Sequence, residues 1–156
     1  MPVEQLYVQP GHLFRRCQQI AVAIFGEETE GFDITSVQFA ALFTVREHPG
    51  IDQATLARLI AFDRATVGSV IDRLEEKGLV VRQPAKHDRR AKLLYATDAG
   101  AGLLKRVSAH VARAQERMLE PLSARERKLL IKLMVRLVGV NGGLKLSQPA
   151  LDQAAE

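Results

Sequence analysis

The segment from Asp63 to Thr97 restricts the possible folds of this chain more than any other stretch. Its first half has apolar residues at the i, i+3, i+4, i+7 spacing of one helix face. These residues are Val67, Val70, Ile71 and Leu74. Asp63 can cap the start of this helix, and Gly78 can end it as a C′ residue. The sequence therefore predicts a helix between Asp63 and Gly78 with one apolar face.

The second half of the segment predicts a β-hairpin with a basic loop. Two β-prone runs, residues 79–83 and 92–97, flank the polar loop PAKHDRRA. Five cations and one acid lie between residues 79 and 92, so this short segment has the net charge of the whole chain, +4. A charge run is often only a solvated surface, but a basic hairpin directly after a helix is typical of phosphate contact. Helix and hairpin together predict a winged helix.

The helix face opposite the apolar stripe has small side chains in its N-terminal half. The residues of this face are Ala65, Gly68, Ser69, Asp72 and Glu76, and the residues that flank it are Arg64, Thr66 and Arg73. Glycine inside a helix costs roughly 1 kcal/mol relative to alanine, so Gly68 indicates a close neighbour. That neighbour is either another helix or the floor of a DNA major groove.

Several residues of the segment match a known pattern. They are LEEKGL at residues 74–79, Asp88-Arg89-Arg90, Leu93, Leu94 and Thr97. With them the chain resembles the MarR family of bacterial winged helix-turn-helix transcription regulators, over roughly residues 10–140. The family's Asp-x-Arg signature falls on Asp88 and Arg90. The resemblance implies that Arg90 enters the minor groove and that Asp88 braces the wing.

These observations predict an interface with double-stranded DNA. The residues expected at base edges are Ala65, Thr66 and Ser69, beside Gly68. The residues expected on phosphates are Arg64, Arg73, Lys86, Arg89 and Lys92, while Arg90 is expected in the minor groove.

Apolar helices are predicted on both sides of this module, beginning at Pro10, at Thr97-Asp98 and at the capping box Ser123–Glu126. They have more apolar surface than one small domain buries, which favours a homodimer with recognition helices about 34 Å apart on a near-palindromic operator. The predicted fold is mainly α with a small β-hairpin wing, a winged helix-turn-helix with a helical dimerisation region. We expect residues 1–34 to form the N-terminal part of that region, 35–97 the DNA-binding domain, 98–143 the C-terminal dimerisation helices and 144–156 a flexible tail.

Two arginines, Arg15 and Arg16, interrupt the apolar surface of the first long helix. In the family that the chain resembles, effectors that are often aromatic carboxylates bind between the dimer helices and the winged domain. A guanidinium could hold such a carboxylate bidentately, or it could pair with Glu27 or an acid of the partner chain. The chain also resembles a subgroup that governs aromatic-acid breakdown, which favours a repressor released by a small aromatic acid. Further candidate ligand-binding residues are His12, Cys17 and His48.

Two other functions stay open on the sequence. Some members of the family sense peroxide through a cysteine in the corresponding helix, where Cys17 lies. A buried cysteine that acts as a small apolar side chain is the simpler interpretation, because only Tyr7 and Tyr95 could serve as assisting tyrosines. The other alternative is a helical adaptor protein whose basic loop meets an acidic protein.

No catalytic or metal-binding pattern is present in the sequence. The four histidines, His12, His48, His87 and His110, are scattered, and there is no HExxH, P-loop, GxGxxG or nucleophile elbow. We therefore expect no enzyme, no cofactor and no metal. One cysteine excludes an internal disulfide, and neither a secretory signal nor a run of about 18 apolar residues is found. These features predict a cytoplasmic protein with no membrane partner.

Overall fold

The protein is described here from a computed structural model that covers residues 2–86, 88 and 91–142, with side chains as far as Gly139. In chain order, the regular elements of these residues are α1 (Val3–Tyr7), α2 (Pro10–Glu28), α3 (Ser36–Glu47), β1 (Ile51–Asp52), α4 (Gln53–Leu59), α5 (Arg64–Glu76), β2 (Val80–Pro84), β3 (Lys92–Ala96), α6 (Asp98–Leu119) and α7 (Ala124–Gly142). The predicted fold class, mainly α with a small β-hairpin wing, is confirmed.

The chain forms two compact units, residues 1–115 and 116–156. The first contains all of the elements from α1 to β3, and the second contains α7. In the second unit the predicted capping box is present: Glu126 Oε2 accepts from the Ser123 backbone N–H at 2.8 Å, and Ser123 Oγ accepts from the Glu126 N–H at 3.4 Å. The predicted domain limits divide the chain at other places and stay a prediction. The predicted tail, 144–156, lies outside the described residues.

A single hydrophobic core in the first unit joins the helices to the sheet. The four residues of the predicted stripe on α5 are all buried, with Val67, Ile71 and Leu74 completely enclosed. They pack with the largest fully buried side chains of the neighbouring elements, which are Leu42, Val45, Leu56, Val80, Leu94 and Val107. Each such side chain contributes roughly 1.5–3 kcal/mol when it leaves water, so the α5 stripe alone accounts for much of the attachment of this helix.

The sheet has three antiparallel strands in the order β1-β3-β2. Leu94 stands at its centre, paired with Ile51 on one side and with Arg82 on the other. The hairpin strands begin and end within one residue of the predicted limits. Strand β1 is not predicted by the sequence, because two residues are too short to show alternation.

Local signals define the ends of α5. Asp63 Oδ1 accepts from the Thr66 N–H at 2.9 Å, as expected of an N-cap. Gly78 has φ +69°, the left-handed conformation that lets glycine end a helix, and the Leu79 N–H then returns to the Leu74 carbonyl at 2.9 Å. The predicted start and stop of this helix are confirmed.

Candidate nucleic-acid interface

The exposed face of α5 has the composition that the sequence predicts. Arg64, Ala65, Ser69 and Arg73 are exposed, and Thr66 is half-buried. The hydroxyls on this face already take part in local hydrogen bonds: Thr66 Oγ1 donates to Asp63 Oδ2 at 2.6 Å, and Ser69 Oγ donates to the Ala65 carbonyl at 3.3 Å. Both hydroxyls therefore offer acceptor lone pairs rather than free donors to a base edge.

Gly68 has a close neighbour within the protein. A Cβ on this residue would lie 3.1 Å from Nε2 of Gln53, the first residue of α4. The same Nε2 donates to the Arg64 carbonyl at 3.4 Å. This contact supports the helix–helix alternative for Gly68, and its role beside DNA stays a prediction.

Helices α4 and α5 form the helix-turn-helix, with Ala61 at φ +58° and Phe62 in the turn between them. Each helix begins at an aspartate cap. The hydrogen bond from the Thr66 hydroxyl, followed by that from the Thr66 backbone N–H, lowers the pKa of Asp63. Thr55 lowers the pKa of Asp52 in the same way, with its hydroxyl as the larger cause. Both caps are therefore ionised at neutral pH.

Arg82 has contacts that its sequence position did not indicate. It was counted only as one of the five cations of the hairpin, but its guanidinium faces the protein. Nη2 lies 2.6 Å from Asp72 Oδ1, Nη1 donates to Glu75 Oε2, and the Arg82 backbone N–H donates to Glu75 Oε1 at 3.2 Å. Burial lowers the pKa of Arg82, but the hydrogen bonds and charges of Asp72 and Glu75 outweigh this effect and the pKa is raised. The charge available to a polyanion on the hairpin is therefore smaller than the count of cations indicated.

The other predicted wing residues are described only in part. Lys86 and Lys92 are exposed at the two ends of the loop. The Asp88 carbonyl accepts from the Ala91 N–H at 3.0 Å and so helps to close the loop, while bracing by its side chain stays a prediction. His87, Arg89 and Arg90 lie outside the described residues.

Four of the candidate ligand residues lie on α2, and the fifth, His48, follows α3. His12 is half-buried, with its ring centroid 5.6 Å from that of Tyr7, whereas Arg15 and Arg16 are exposed along α2. His48 caps the end of α3 and lines an open depression of about 330 Å³ with Pro49, Gly50, Ile51, Asp52, Thr55 and Leu59. The expectation that Cys17 is buried is wrong for the single chain, where its residue is exposed. The reason is that Phe25 is the one fully buried residue of α2 within the chain, and much of the helix's apolar surface, including Leu13, Phe14 and Ile20, is exposed.

Among the described residues, no group of three His, Cys, Asp or Glu side chains is placed to hold a metal ion. His110 instead has Nδ1 2.8 Å from the Glu28 carbonyl and packs edge-on against Phe32. None of the helices in the described part of the chain is long and apolar enough to cross a bilayer.

Comparison with known proteins decides the family. The model of the MarR family matches residues 34–92. The HTH-type transcriptional repressor NicR of Pseudomonas putida is 32% identical over 130 residues, which are 83% of this chain and 82% of NicR. The chain belongs to the MarR family. It is a transcriptional regulator of the winged helix-turn-helix type, as the resemblance in its sequence implied.

Two solved structures are similar to most of this chain. The regulator BpsR of Bordetella bronchiseptica, whose DNA binding is regulated by 6-hydroxynicotinic acid, is 28% identical, with a TM-score of 0.79 over 84% of this chain and 94% of BpsR. The repressor CouR, solved on a 23-mer DNA duplex, is 27% identical, with a TM-score of 0.79 over 88% of this chain and 98% of CouR. These relatives are regulators of transcription, and those similarities favour a DNA-binding function over the adaptor alternative. A peroxide sensor based on Cys17 is not favoured.

Proposed function

We propose that this MarR-family protein is a homodimeric repressor that binds a near-palindromic operator and is released by a small aromatic carboxylate. The observation that carries DNA binding is the exposed N-terminal face of α5, with small residues between Arg64 and Arg73, next to a hairpin with Lys86 and Lys92 exposed. A protein whose partner is chromosomal DNA belongs in the cytoplasm.

Some of the proposed contacts would read the base sequence, and others would position the protein on the DNA backbone. Helix α5 has 13 residues, about 20 Å in length, and the major groove is about 12 Å wide, so its exposed face fits along the groove floor. Ala65, Thr66 and Ser69 would meet base edges, and Arg64 and Arg73 the flanking phosphates. The wing would supply the remaining phosphate contacts and the minor-groove arginine. CouR on its DNA duplex is a precedent within the family for the use of this fold on DNA.

Homodimerisation is supported by apolar surface that a single chain leaves exposed. On α2, Leu13, Phe14 and Ile20 are each about half exposed. Separately, the second unit exposes apolar side chains along α7, which are Leu129, Leu133, Met134, Leu137 and Val138. Contiguous apolar faces of this kind mark interfaces rather than free surface. A second copy of the chain is the partner proposed for both, with 1–34 and 98–143 as the dimerisation region.

The effector proposal depends on Arg15 and Arg16. The alternative ion pair with Glu27 is not formed: among the described residues neither arginine has an ion-pair partner, so both guanidinium groups are available to a carboxylate or to an acid of the partner chain. The regulation of BpsR by 6-hydroxynicotinic acid, an aromatic carboxylate, supports the same class of effector here. His12 and Cys17 lie on the same helix and are proposed as lesser contributors, with His48 from the end of α3.

Fluorescence anisotropy on the DNA upstream of the protein's own gene tests this proposal. A scrambled duplex of equal length is the matched control, and both are titrated at several salt concentrations. We expect preference for the upstream duplex and a steep loss of affinity with salt, because each neutralised phosphate contributes a slope of about −0.9 in log K against log salt. Equal, weak binding to both duplexes at physiological salt would contradict sequence-specific DNA binding. No binding even at low salt would favour the adaptor alternative.

A further inference from the structure

Arg82 lies in the middle of β2, and its side chain contacts α5, the proposed recognition helix. Its two terminal nitrogens contact different carboxylates, Asp72 at 2.6 Å and Glu75 in a short ion pair, and its backbone N–H bonds the second of these at 3.2 Å. Its side chain is 22% exposed, against 62% for Asp72 and 40% for Glu75. The arginine is therefore the enclosed member of the group and is directed away from solvent.

The position of Arg82 in the sheet explains why this contact matters. Arg82 pairs with Leu94 in the register of the hairpin, and strand β1 pairs with β3 at Leu93 and Leu94 from the other side. Strand β1 is therefore one edge of the sheet. Strand β2 is the other edge, and the ion pairs of Arg82 attach it to α5. Beyond this level Gln83 and Pro84 continue the strand pairing, and the Ala85 N–H donates to the Ala91 carbonyl at 2.9 Å.

The two acids lie on the same helix as the proposed base contacts. Asp72 and Glu75 are three residues apart, which places them on one side of α5 in its C-terminal half. Unpaired carboxylates there would repel a phosphate backbone. A guanidinium presents its donors in a fixed planar fork that can hold two carboxylates at a set angle, whereas a lysine ammonium is a point charge on a flexible stem.

We propose that Arg82 is a positioning residue for the wing: through Asp72 and Glu75 it fixes the angle between the β-hairpin and α5, so that both engage one DNA duplex, and it binds no phosphate itself. This inference rests on the proposed DNA-binding function. A hairpin held in advance loses less conformational freedom on binding than a hairpin that must be ordered on the DNA.

The first test keeps the charge constant. Arg82→Lys is compared with Arg46→Lys, since Arg46 is also an ion-paired arginine, 2.7 Å from Glu47 on α3, but is not among the proposed DNA contacts. We expect Arg82→Lys to weaken operator binding about three- to tenfold, the range of one lost ordering contribution, and Arg46→Lys to stay within about twofold. An Arg82→Lys variant that binds like the wild type would overturn the proposal.

The second test uses the protein without DNA. Amide hydrogen exchange is measured at Gln83 and Leu93, which face each other in the hairpin, in Arg82→Gln and in the double variant Asp72→Asn/Glu75→Gln. Glu76→Gln is the control, because it removes an exposed acid of the same helix that has no ion-pair partner among the described residues. We expect faster exchange of the hairpin amides in the first two proteins, unchanged exchange in the control, and core amides of α5 unaltered in all three.

Unchanged hairpin exchange in Arg82→Gln would also overturn the proposal. If the wild type shows no preference for its operator, the proposed function fails, whereas the exchange experiment still reports whether Arg82 holds the wing. The two failures are therefore distinguishable.

Discussion

Lys77, at the C-terminal end of α5, contacts Asp33, which lies 44 residues earlier in the chain in the loop between α2 and α3. Its Nζ lies 3.0 Å from Asp33 Oδ2, and the same ammonium donates to the Asp33 carbonyl and, at 3.3 Å, to Gln38 Oε1. Asp33 has φ +49°, an uncommon conformation for a residue other than glycine, and Gln38 is buried. The loop between α2 and α3 is thus attached directly to the C-terminal end of α5.

Variants of Lys77 and of Asp33 together distinguish the hydrogen bonds of the Lys77 ammonium from its ion pair. We expect Lys77→Met to lower the free energy of unfolding by about 1 kcal/mol, because the buried Gln38 oxygen and the Asp33 carbonyl lose a charged donor. Asp33→Asn is the matched control: asparagine tolerates a positive φ and keeps the carbonyl, so only the exposed ion pair is lost, at less than about 0.5 kcal/mol. Urea unfolding measures both, and equal losses would show that the ion pair, not the hydrogen bonds, dominates.

Two glycines of α6 are expected to respond in opposite ways to alanine. A Cβ on Gly100 would overlap the Leu79 carbonyl oxygen and lie 3.0 Å from Leu42 Cδ1, whereas on Gly102 its nearest neighbour is Arg106 Nη1 at 3.6 Å. We expect Gly100→Ala to destabilise the protein by about 1–3 kcal/mol through overpacking. Gly102→Ala should be neutral or stabilise it by up to about 1 kcal/mol through helix propensity. Thermal unfolding of the two variants side by side checks the contrast, and similar midpoints would contradict it.

The Asp63 cap should make stability depend on pH in the acid range. Because hydrogen bonds from Thr66 lower the pKa of Asp63 in the folded state, the cap's contribution is fully present above the usual aspartate pKa of about 4 and is lost as the pH falls through the lower folded value. We expect Asp63→Ala to be less stable than the wild type at neutral pH, with the difference narrowing below about pH 4.

Asp63→Asn is the control for that pH dependence. Asparagine keeps an oxygen that can accept from the Thr66 N–H but does not titrate, so this variant should lie nearer the wild type at neutral pH than Asp63→Ala does. Denaturant unfolding across the pH range, without DNA, measures all three proteins. A difference between wild type and Asp63→Ala that widens in acid would refute the assignment of the cap.

Arg15 and Arg16 are expected to affect release by effector but not operator binding. Loss of a charge-assisted hydrogen-bonded contact, about 1.5–3 kcal/mol, should raise the aromatic-acid concentration for half-release by roughly 10- to 100-fold in Arg15→Gln or in Arg16→Gln. Arg125→Gln changes an exposed arginine of the second unit and should leave the release curve unaltered. Anisotropy titrations with 6-hydroxynicotinic acid and benzoic acid check this, and normal release in both helix α2 variants would remove these arginines from the proposed site.

The sequence predicted those features whose determinants lie close together in the chain. The α5 helix, its Asp63 cap, its Gly78 stop and its buried stripe all depend on neighbouring residues, so periodicity and turn chemistry were sufficient. Arg82 was missed because counting charges does not reveal which charges pair, although Asp72 and Glu75 stand within ten residues of it. Cys17 was misjudged because burial along α2 depends on a surface outside the single chain.

Strand β1 and helix α4 share a junction without any spacer. Ile51 pairs with Leu94 at the centre of the sheet, and the next residue, Asp52, both ends the strand and caps the helix through Thr55. Because no loop separates the strand from the helix, a rotation of the sheet would also rotate α4. An effector that rotated the sheet would therefore not need to contact α5 in order to weaken the proposed DNA binding.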